Sequence, residues 1–484
     1  MNKLRAIARR NMIERGLLPD FSPAVLAETS AIKEVSAALS PAIRDLRGLL
    51  WTSIDNDSSR DLDQLTVAEP LTDGAVKVYV AISDVDAAVR RHCAIDDHAQ
   101  TNTTSVYTAA GSFPMLPERL STDLTSLGEG QDRLAIVAEM TVDVDGTVKD
   151  TNVYRAAVRN HAKLAYDSVA TWLDGSAPAP PRIASTPGLY AQLRVQDHVA
   201  QAMRRLRYEH GALSLQTPQA EAVFDGDELS DLRPDEPNRA KELIEDLMVA
   251  ANGAIAKYLA TKGFPSLRRA LRSPERWDRI ATLARALGEQ LPRQADGNAL
   301  SRFLAKRRQE DPARFPDLSL SVVKLLGRGE YVLDLPRQRP EGHFGLAVTD
   351  YTHSTAPNRR FPDLVTQRLV KAALAAEPPP YTDAELSALA HHCSAQEANA
   401  TKVERQVGKS AAALLLGGRI GQKFDGLVSG ASDKGTWVRI LHPLTEGRVV
   451  RGFQGLDVGD RVHVELVHTD VDRGFVDFAR SGGS

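Results

Sequence analysis

The stretch SIDNDSSRDLDQL, Ser53 to Leu65, carries Asp55, Asp57, Asp61 and Asp63. LLWTSI leads into it and LTVAE leaves it, both apolar and strand-like, so the acids lie where the chain passes between two core strands. Carboxylates in that setting cannot stay ionised and unpaired, because desolvation and mutual repulsion both raise their pKa values. The fold must either turn them out to water, as an ordinary polar surface turn would, or bring a cation to them. Calcium loops of the helix-loop-helix kind begin D-x-D-x-S, as Asp55, Asp57 and Ser59 do here, but they need glycine at the sixth position and glutamate at the twelfth. Arg60 and Thr66 stand there. Mg²⁺ suits the acids better, since it takes about two carboxylates together with waters and phosphate oxygens, a pattern met in enzymes that transfer or cleave phosphoryl groups.

The chain has 484 residues, enough for roughly two to four domains. No apolar run approaches the ~18 residues of a membrane span, and MNKLRAIARRNMIERG lacks the apolar middle of a signal peptide. A cytoplasmic protein without membrane contact is expected. The two cysteines, Cys93 and Cys393, are far apart and outside any C-x-x-C spacing, which excludes a disulfide framework and a cysteine-rich zinc site. Any metal therefore sits on oxygen. A net charge of −3 gives the whole molecule no bias toward nucleic acid. Local clusters do: Arg204, Arg205 and Arg207; Arg268, Arg269 and Arg272; Lys306, Arg307 and Arg308; Arg359 and Arg360. Taken singly, each is as readily a solvated helix face.

Along the chain, the first fifty residues read as short helices, a small module for which a helix-turn-helix arrangement is one option. Strand-like runs follow from Leu49: LLWTSID, AVKVYVAISDV, RLAIVAEMTVDVDGTV and TNVYRAAVRNH. The middle is helical from ELIEDLMVAANGAIAKYLATKG through ERWDRIATLARALGEQL to LSLSVVKLLGRG, then extended at YVLDLP and GHFGLAVTDY, then helical again to about Leu416. DGSAPAPPRIASTPG reads as a flexible surface loop. After Gly417 and Gly418, five short β-rich runs with Gly-containing turns suit a five-stranded OB barrel.

The Asp55, Asp61, Asp63 spacing resembles the acid motif of the RNB exoribonucleases, the RNase II and RNase R family. Further blocks are similar in the same order: VYVAISDVDAAV, then AIDDHAQTNTTSVYTAAGSFPMLPERLSTDLTSL, RNHAKLAYDSV, YEHGALSLQTPQA, ELIEDLMVAAN and GHFGLAVTDYTHSTAPNRRFPDLVTQRLV. The resemblance covers about residues 49 to 400, and the tail resembles the family's C-terminal RNA-binding OB domain of the ribosomal-protein type. It implies an α+β chain: an N-terminal helical module over 1–48, an RNB catalytic domain over 49–416 and the OB domain over 417–484. It also implies a processive, Mg²⁺-dependent 3′-to-5′ exoribonuclease that acts as a monomer, without an obligate protein partner, on single-stranded RNA.

By the same resemblance, Asp55, Asp61 and Asp63 hold Mg²⁺ and orient the attacking water, and Arg359 clamps the scissile phosphate with its fixed fork of donors. Arg360 adds a further RNA contact. Tyr107 and Tyr166 stack on bases, which tolerates any sequence because every base has a π-face, and Glu245 supports the last nucleotide. The bland readings are a surface ion pair for Arg359, buried core tyrosines and an ordinary acidic helix face at Glu245. In the tail, Trp437 and Lys434 are the RNA-contact candidates, with Arg439 and Arg451 beside them and Phe424 more readily core.

Three departures stand out. Gln64 replaces the second of two adjacent aspartates, so it can offer the metal a carbonyl oxygen but no charge. Ala356 and Asn358 stand where the family has serine and an aliphatic residue. The N-terminal helices occupy the place of cold-shock domains. Gln64 leaves open a second reading, a catalytically impaired RNA-binding protein on the same scaffold, and a DNA-directed nuclease is a third.

Overall fold

The computed structural model describes residues 2–35, 37–216, 220–225, 228–234, 237–312, 314–338, 341–432 and 435–481. Helices α1 (Asn2–Glu14) and α2 (Pro23–Ala31) open the chain. Ser22 caps α2 through the Val25 N–H, and Pro23 takes the first helical position, where no N–H is required. The first fifty residues do not stay helical. Ile43–Asp45 forms β1, an edge strand of the main sheet, and at three residues it is too short to show any alternation. The sheet thus begins ahead of position 49.

Next come β2 (Thr52–Asp55), β3 (Gln64–Pro70) and β4 (Val76–Ser83), the hairpin β5 (Val106–Thr108) and β6 (Gly111–Phe113), then β7 (Asp132–Val142), β8 (Val148–Arg159) and β9 (Ala162–Ala165). Apart from the hairpin, these strands join β1 in one seven-stranded sheet of order β1-β8-β7-β4-β3-β2-β9, with parallel pairing at β1/β8 and β2/β9. The period of two in VKVYVAIS decides its faces. Val78, Val80 and Ile82 enter one core while Tyr79 and Ala81 enter the other.

Helices cover the first face: α3 (Ala94–Asn102), α4 (Tyr166–Leu173), the short α5 (Pro181–Ser185), α6 (Leu189–Glu209) and α7 (Arg239–Thr261). The expected loop at 174–188 therefore contains a helical turn, seated by buried Ile183. A hairpin that the sequence did not signal, β10 (Ala220–Asp225) and β11 (Glu228–Pro234), precedes α7. Beyond it, α8 (Trp277–Ala286), α9 (Gly297–Glu310) and α10 (Phe315–Leu326) share a small core of their own around Trp277, Leu300, Phe303 and Phe315. Strands β12 (Ser266–Ala270) and β13 (Glu330–Asp334) pair across this excursion. GHFGLAVTDY, read as extended, instead makes a 3-10 turn at Phe344–Leu346. Two helices close the catalytic body, α11 (Phe361–Ala375) and the long α12 (Asp383–Leu416), which opens on a capping box of Thr382 and Glu385.

The tail is a closed barrel of β14 (Lys423–Ser432), β15 (Gly435–Leu441), β16 (Leu444–Arg451), β17 (Arg461–Asp470) and β18 (Phe475–Arg480). Its order, β14-β15-β16-β18-β17 with a parallel β16/β18 closure, is that of an OB fold. Gly447 is required at that closure, because a Cβ there would lie 2.5 Å from the Val476 carbonyl oxygen and the Phe478 ring. Among the described residues, no helix is long and apolar enough to cross a membrane.

Candidate active site

The acidic stretch is a loop held open between β2 and β3, which pair directly at Thr52 and Thr66 alone. Asp55 ends β2, and its carboxylate accepts from the Asn56 N–H (2.7 Å) and the Ser59 hydroxyl (2.8 Å), a local turn typical of aspartate. Leu62 then plunges into the second core and is held by its backbone, its N–H donating to Ser126 Oγ and its carbonyl accepting from the Leu127 N–H. With Leu62 pegged inward, Asp61 and Asp63 are fixed on either side of it. Gln64 opens β3 beside Ile82, half-buried.

Asp63 is the most constrained of the acids, at 2% exposed. One oxygen accepts the Asn358 N–H at 2.9 Å, and the other lies 3.6 Å from Arg359 Nε. Burial pushes the carboxyl up to about 7, while the Arg359 charge and the Asn358 N–H pull the other way. Burial likewise raises Asp61, against Arg359. Tyr107, on β5, points its hydroxyl at Asp61 Oδ2 (3.5 Å) and leaves its ring 46% exposed. Burial of that hydroxyl raises it to about 12. Tyr166 begins α4 directly after β9; burial raises its hydroxyl as well, with Asp55 adding and Arg359 opposing, which places it beside both.

Arg359 is half-exposed and, among the described residues, its terminal nitrogens make no hydrogen bond, while its backbone is stitched to the segment before the hairpin. The Arg359 carbonyl accepts from the Ser105 N–H and the Thr104 hydroxyl, and the Phe361 N–H donates to the Thr103 carbonyl. The Arg359 turn and the Tyr107 hairpin are thus one backbone unit. Asp55, Asp61, Asp63, Arg359, Tyr107 and Tyr166 thus lie within electrostatic reach of one another.

The other candidates have partners of their own. Arg360 turns inward and closes a two-pronged ion pair on Asp363 (2.9 and 2.7 Å). Glu245 sits exposed on α7, 3.6 Å from Arg204. Trp437 is half-buried on the outer face of β15, across from Arg448. Arg439 on the same face is taken by an ion pair with Asp317 at 2.6 Å, and Phe424 packs partly against the barrel core. Lys434 lies outside the described residues. Two contributors went unread in the sequence: Asp363, whose signal was an acid in the first turn of α11, and Glu404 on α12, which accepts the Tyr107 N–H at 3.1 Å.

Among the described residues, no group of three or more His, Cys, Asp or Glu side chains is placed to hold a metal ion by itself. The donors nonetheless fit a hard cation. They are carboxylate oxygens, two of them raised by burial against the pull of Arg359, and Mg²⁺ is commonly bound through one or two carboxylates plus substrate phosphates instead of an all-protein cage.

The sequence matches the RNB domain over residues 43–376 and the C-terminal S1 domain of RNase II-type exonucleases over residues 422–481. The chain belongs to the RNB family. It is 30% identical to Ribonuclease R of Aquifex aeolicus, over 98% of this chain and 70% of that protein. Against Ribonuclease R of Escherichia coli the identity is 29%, over 94% of this chain and 60% of that protein. This RNB chain therefore spans 60–70% of the length of these two relatives. Its fold is shared with Mycoplasma genitalium RNase R, solved in complex with ribose-methylated single-stranded RNA, at a TM-score of 0.85 and 23% identity, over 99% of this chain and 78% of that one.

Proposed function

We propose that this RNB protein is a Mg²⁺-dependent, processive 3′-to-5′ exoribonuclease that hydrolyses single-stranded RNA to nucleoside 5′-monophosphates. One observation carries the reading: a buried carboxylate, Asp63, faces the half-exposed Arg359 guanidinium at 3.6 Å, with Tyr107 and Tyr166 near enough to feel that charge. That arrangement offers a place for a phosphate and platforms for the bases on each side of it.

Asp55, Asp61 and Asp63, with the Gln64 carbonyl, would hold the cation. When bound, Mg²⁺ supplies Lewis-acid shielding of the phosphate and a more acidic water. The Arg359 fork grips the non-bridging oxygens and stabilises the charge that builds up on them. Asp63 orients the water for attack on phosphorus; the bond to the 3′-oxygen of the preceding nucleotide breaks, and that oxygen takes a proton. Tyr107 and Tyr166 stack on the terminal bases at about 1–3 kcal/mol each. Glu245, only loosely paired with Arg204, supports the last nucleotide by hydrogen bonding. Trp437 supplies a further stacking surface on the barrel, and Lys434 a cation. We assign Arg360 to the scaffold, because its fork is already closed on Asp363.

The test is incubation with a 5′-labelled oligoribonucleotide in Mg²⁺ and again in EDTA. A short limit product with released mononucleotides in Mg²⁺ alone is expected, and a matched DNA oligonucleotide should survive because it lacks the 2′-hydroxyl. Asp63→Asn should stop cleavage and leave RNA binding nearly unchanged. RNA that is bound but intact in Mg²⁺ would instead make the chain an RNA-binding protein.

A further inference from the structure

The turn that carries Arg359 is held from behind by a single carboxylate. Asp363, in the first turn of α11, is fully buried at its side chain, and its two oxygens take three donors. Oδ1 accepts the Ala356 N–H at 2.9 Å and Arg360 Nη2 at 2.7 Å; Oδ2 accepts Arg360 Nε at 2.9 Å. These bonds seize the turn at its two ends, Ala356 and Arg360. The turn is also closed within itself, since the Arg359 and Arg360 N–H groups both reach the Ala356 carbonyl. What remains between the fixed ends is Asn358, whose N–H holds Asp63, and Arg359, whose guanidinium faces Asp63.

We propose that Asp363 and Arg360 are a positioning pair for the Arg359 clamp and for Asp63, acting through the backbone of 356–360 without touching RNA. The proposal rests on the reading of Arg359 as the phosphate clamp. A fork-to-fork pair suits this task because it fixes both distance and plane, which a single hydrogen bond does not. Misplacing a catalytic group by an ångström is enough to slow a reaction by about a hundredfold. A pair that only held the fold together would have no such selectivity for turnover.

The experiment uses the whole chain and the labelled oligoribonucleotide in Mg²⁺. Removing one partner would leave a buried charge alone and risk unfolding, so both go together, as Arg360→Met with Asp363→Leu, an exchange that buried ion pairs often tolerate. The double variant leaves the Ala356 N–H without its acceptor, so it should melt somewhat below the parent, but it should stay folded and bind RNA in EDTA within about twofold of the parent, yet lose roughly tenfold to a hundredfold in kcat with little change in KM. Asp363→Glu keeps both charges but shifts the carboxylate by one methylene; it should give the same split with a smaller loss. Unchanged kcat in a folded double variant overturns the proposal, as does weakened RNA binding with kcat preserved, which would make Arg360 an RNA contact. A crystal structure of the double variant reads the same question without turnover: Asn358 N–H should have left Asp63, and an undisturbed turn overturns the proposal. A parent protein that cleaves no RNA would refute the nuclease reading instead, and the crystal structure would still decide the positioning.

Discussion

A charged Asp63 opposes folding. Its carboxyl titrates near 7 in the native state against an ordinary value of 3.8, so between those values the native chain holds a proton that the unfolded chain has lost. Stability therefore falls as pH rises through that window, by on the order of 4 kcal/mol when complete. With divalent ions removed, Asp63→Asn should raise the unfolding free energy at pH 8 by about 2–4 kcal/mol and change it little near pH 4, as read from denaturant melts. Coincident curves at pH 8 would mean that the Asp63 charge is already compensated. Asn358 offers a smaller case of the same kind. Its side-chain amide nitrogen is buried without a partner, while its oxygen accepts from the Thr125 hydroxyl, which also has the Leu120 carbonyl within 2.9 Å. Asn358→Leu, of similar shape, removes the orphaned donor and leaves the backbone contact to Asp63 in place. A gain of about 1 kcal/mol is expected in the same melts.

At the scale of elements, α1 is a brace. Leu4, Ala8, Met12 and Leu17 form one core with Val106, Ala110 and Phe113 of the tyrosine hairpin and Ala400, Val403, Val407 and Ala411 of α12. A two-stranded hairpin is marginal by itself, so Tyr107 owes its place to that backing. Met12→Ala opens a cavity at a fully buried site and should lower amide-exchange protection across 106–113, with KM for RNA rising severalfold. Unaltered exchange there would show that the hairpin stands without α1. None of this was readable in the sequence, because α1 shows only that it has an apolar stripe and not what covers it. The strands of the main sheet and barrel were readable, since VKVYVAIS and GTWVRIL alternate: both faces of the first meet a core, and one face of the second does. Short or capped pieces were not: β1 has three residues, and α5 is a single turn inside a Pro-rich stretch. Arg359 was singled out only through the family resemblance, and the acidic stretch between two strands was readable from residue type and context. The inward turn of Arg360 was not, because adjacent arginines look alike until an acid three residues on captures one of them.

For the whole molecule, the question is what joins the barrel to the catalytic body. Helix α12 runs 34 residues, about 50 Å at 1.5 Å each, from beneath the site into the barrel, where Ala413 and Leu416 enter the barrel core. One helix is a hinge as readily as a strut. A further joint is the ion pair from Arg439 on β15 to Asp317 on α10, with both side chains mostly buried and, among the described residues, no hydrogen-bond partner for Asp317 Oδ2. Lys3 with Asp472 and Val471 against the core shared by α1 and α12 add lesser contacts, and joints on different elements fix an orientation that one cannot. Arg439→Ala would leave the Asp317 carboxylate buried and alone, a loss of about 3–5 kcal/mol falling on the joint itself. The barrel should then swing on α12. Small-angle scattering should show a larger radius of gyration, and calorimetry should show the barrel melting ahead of the catalytic body. Arg439→Met with Asp317→Leu removes both charges and should return the compact form and the single transition. If Arg439→Ala alone keeps the parent's scattering curve and melt, the barrel is held by α12 and its apolar contacts, and the ion pair is incidental to its placement.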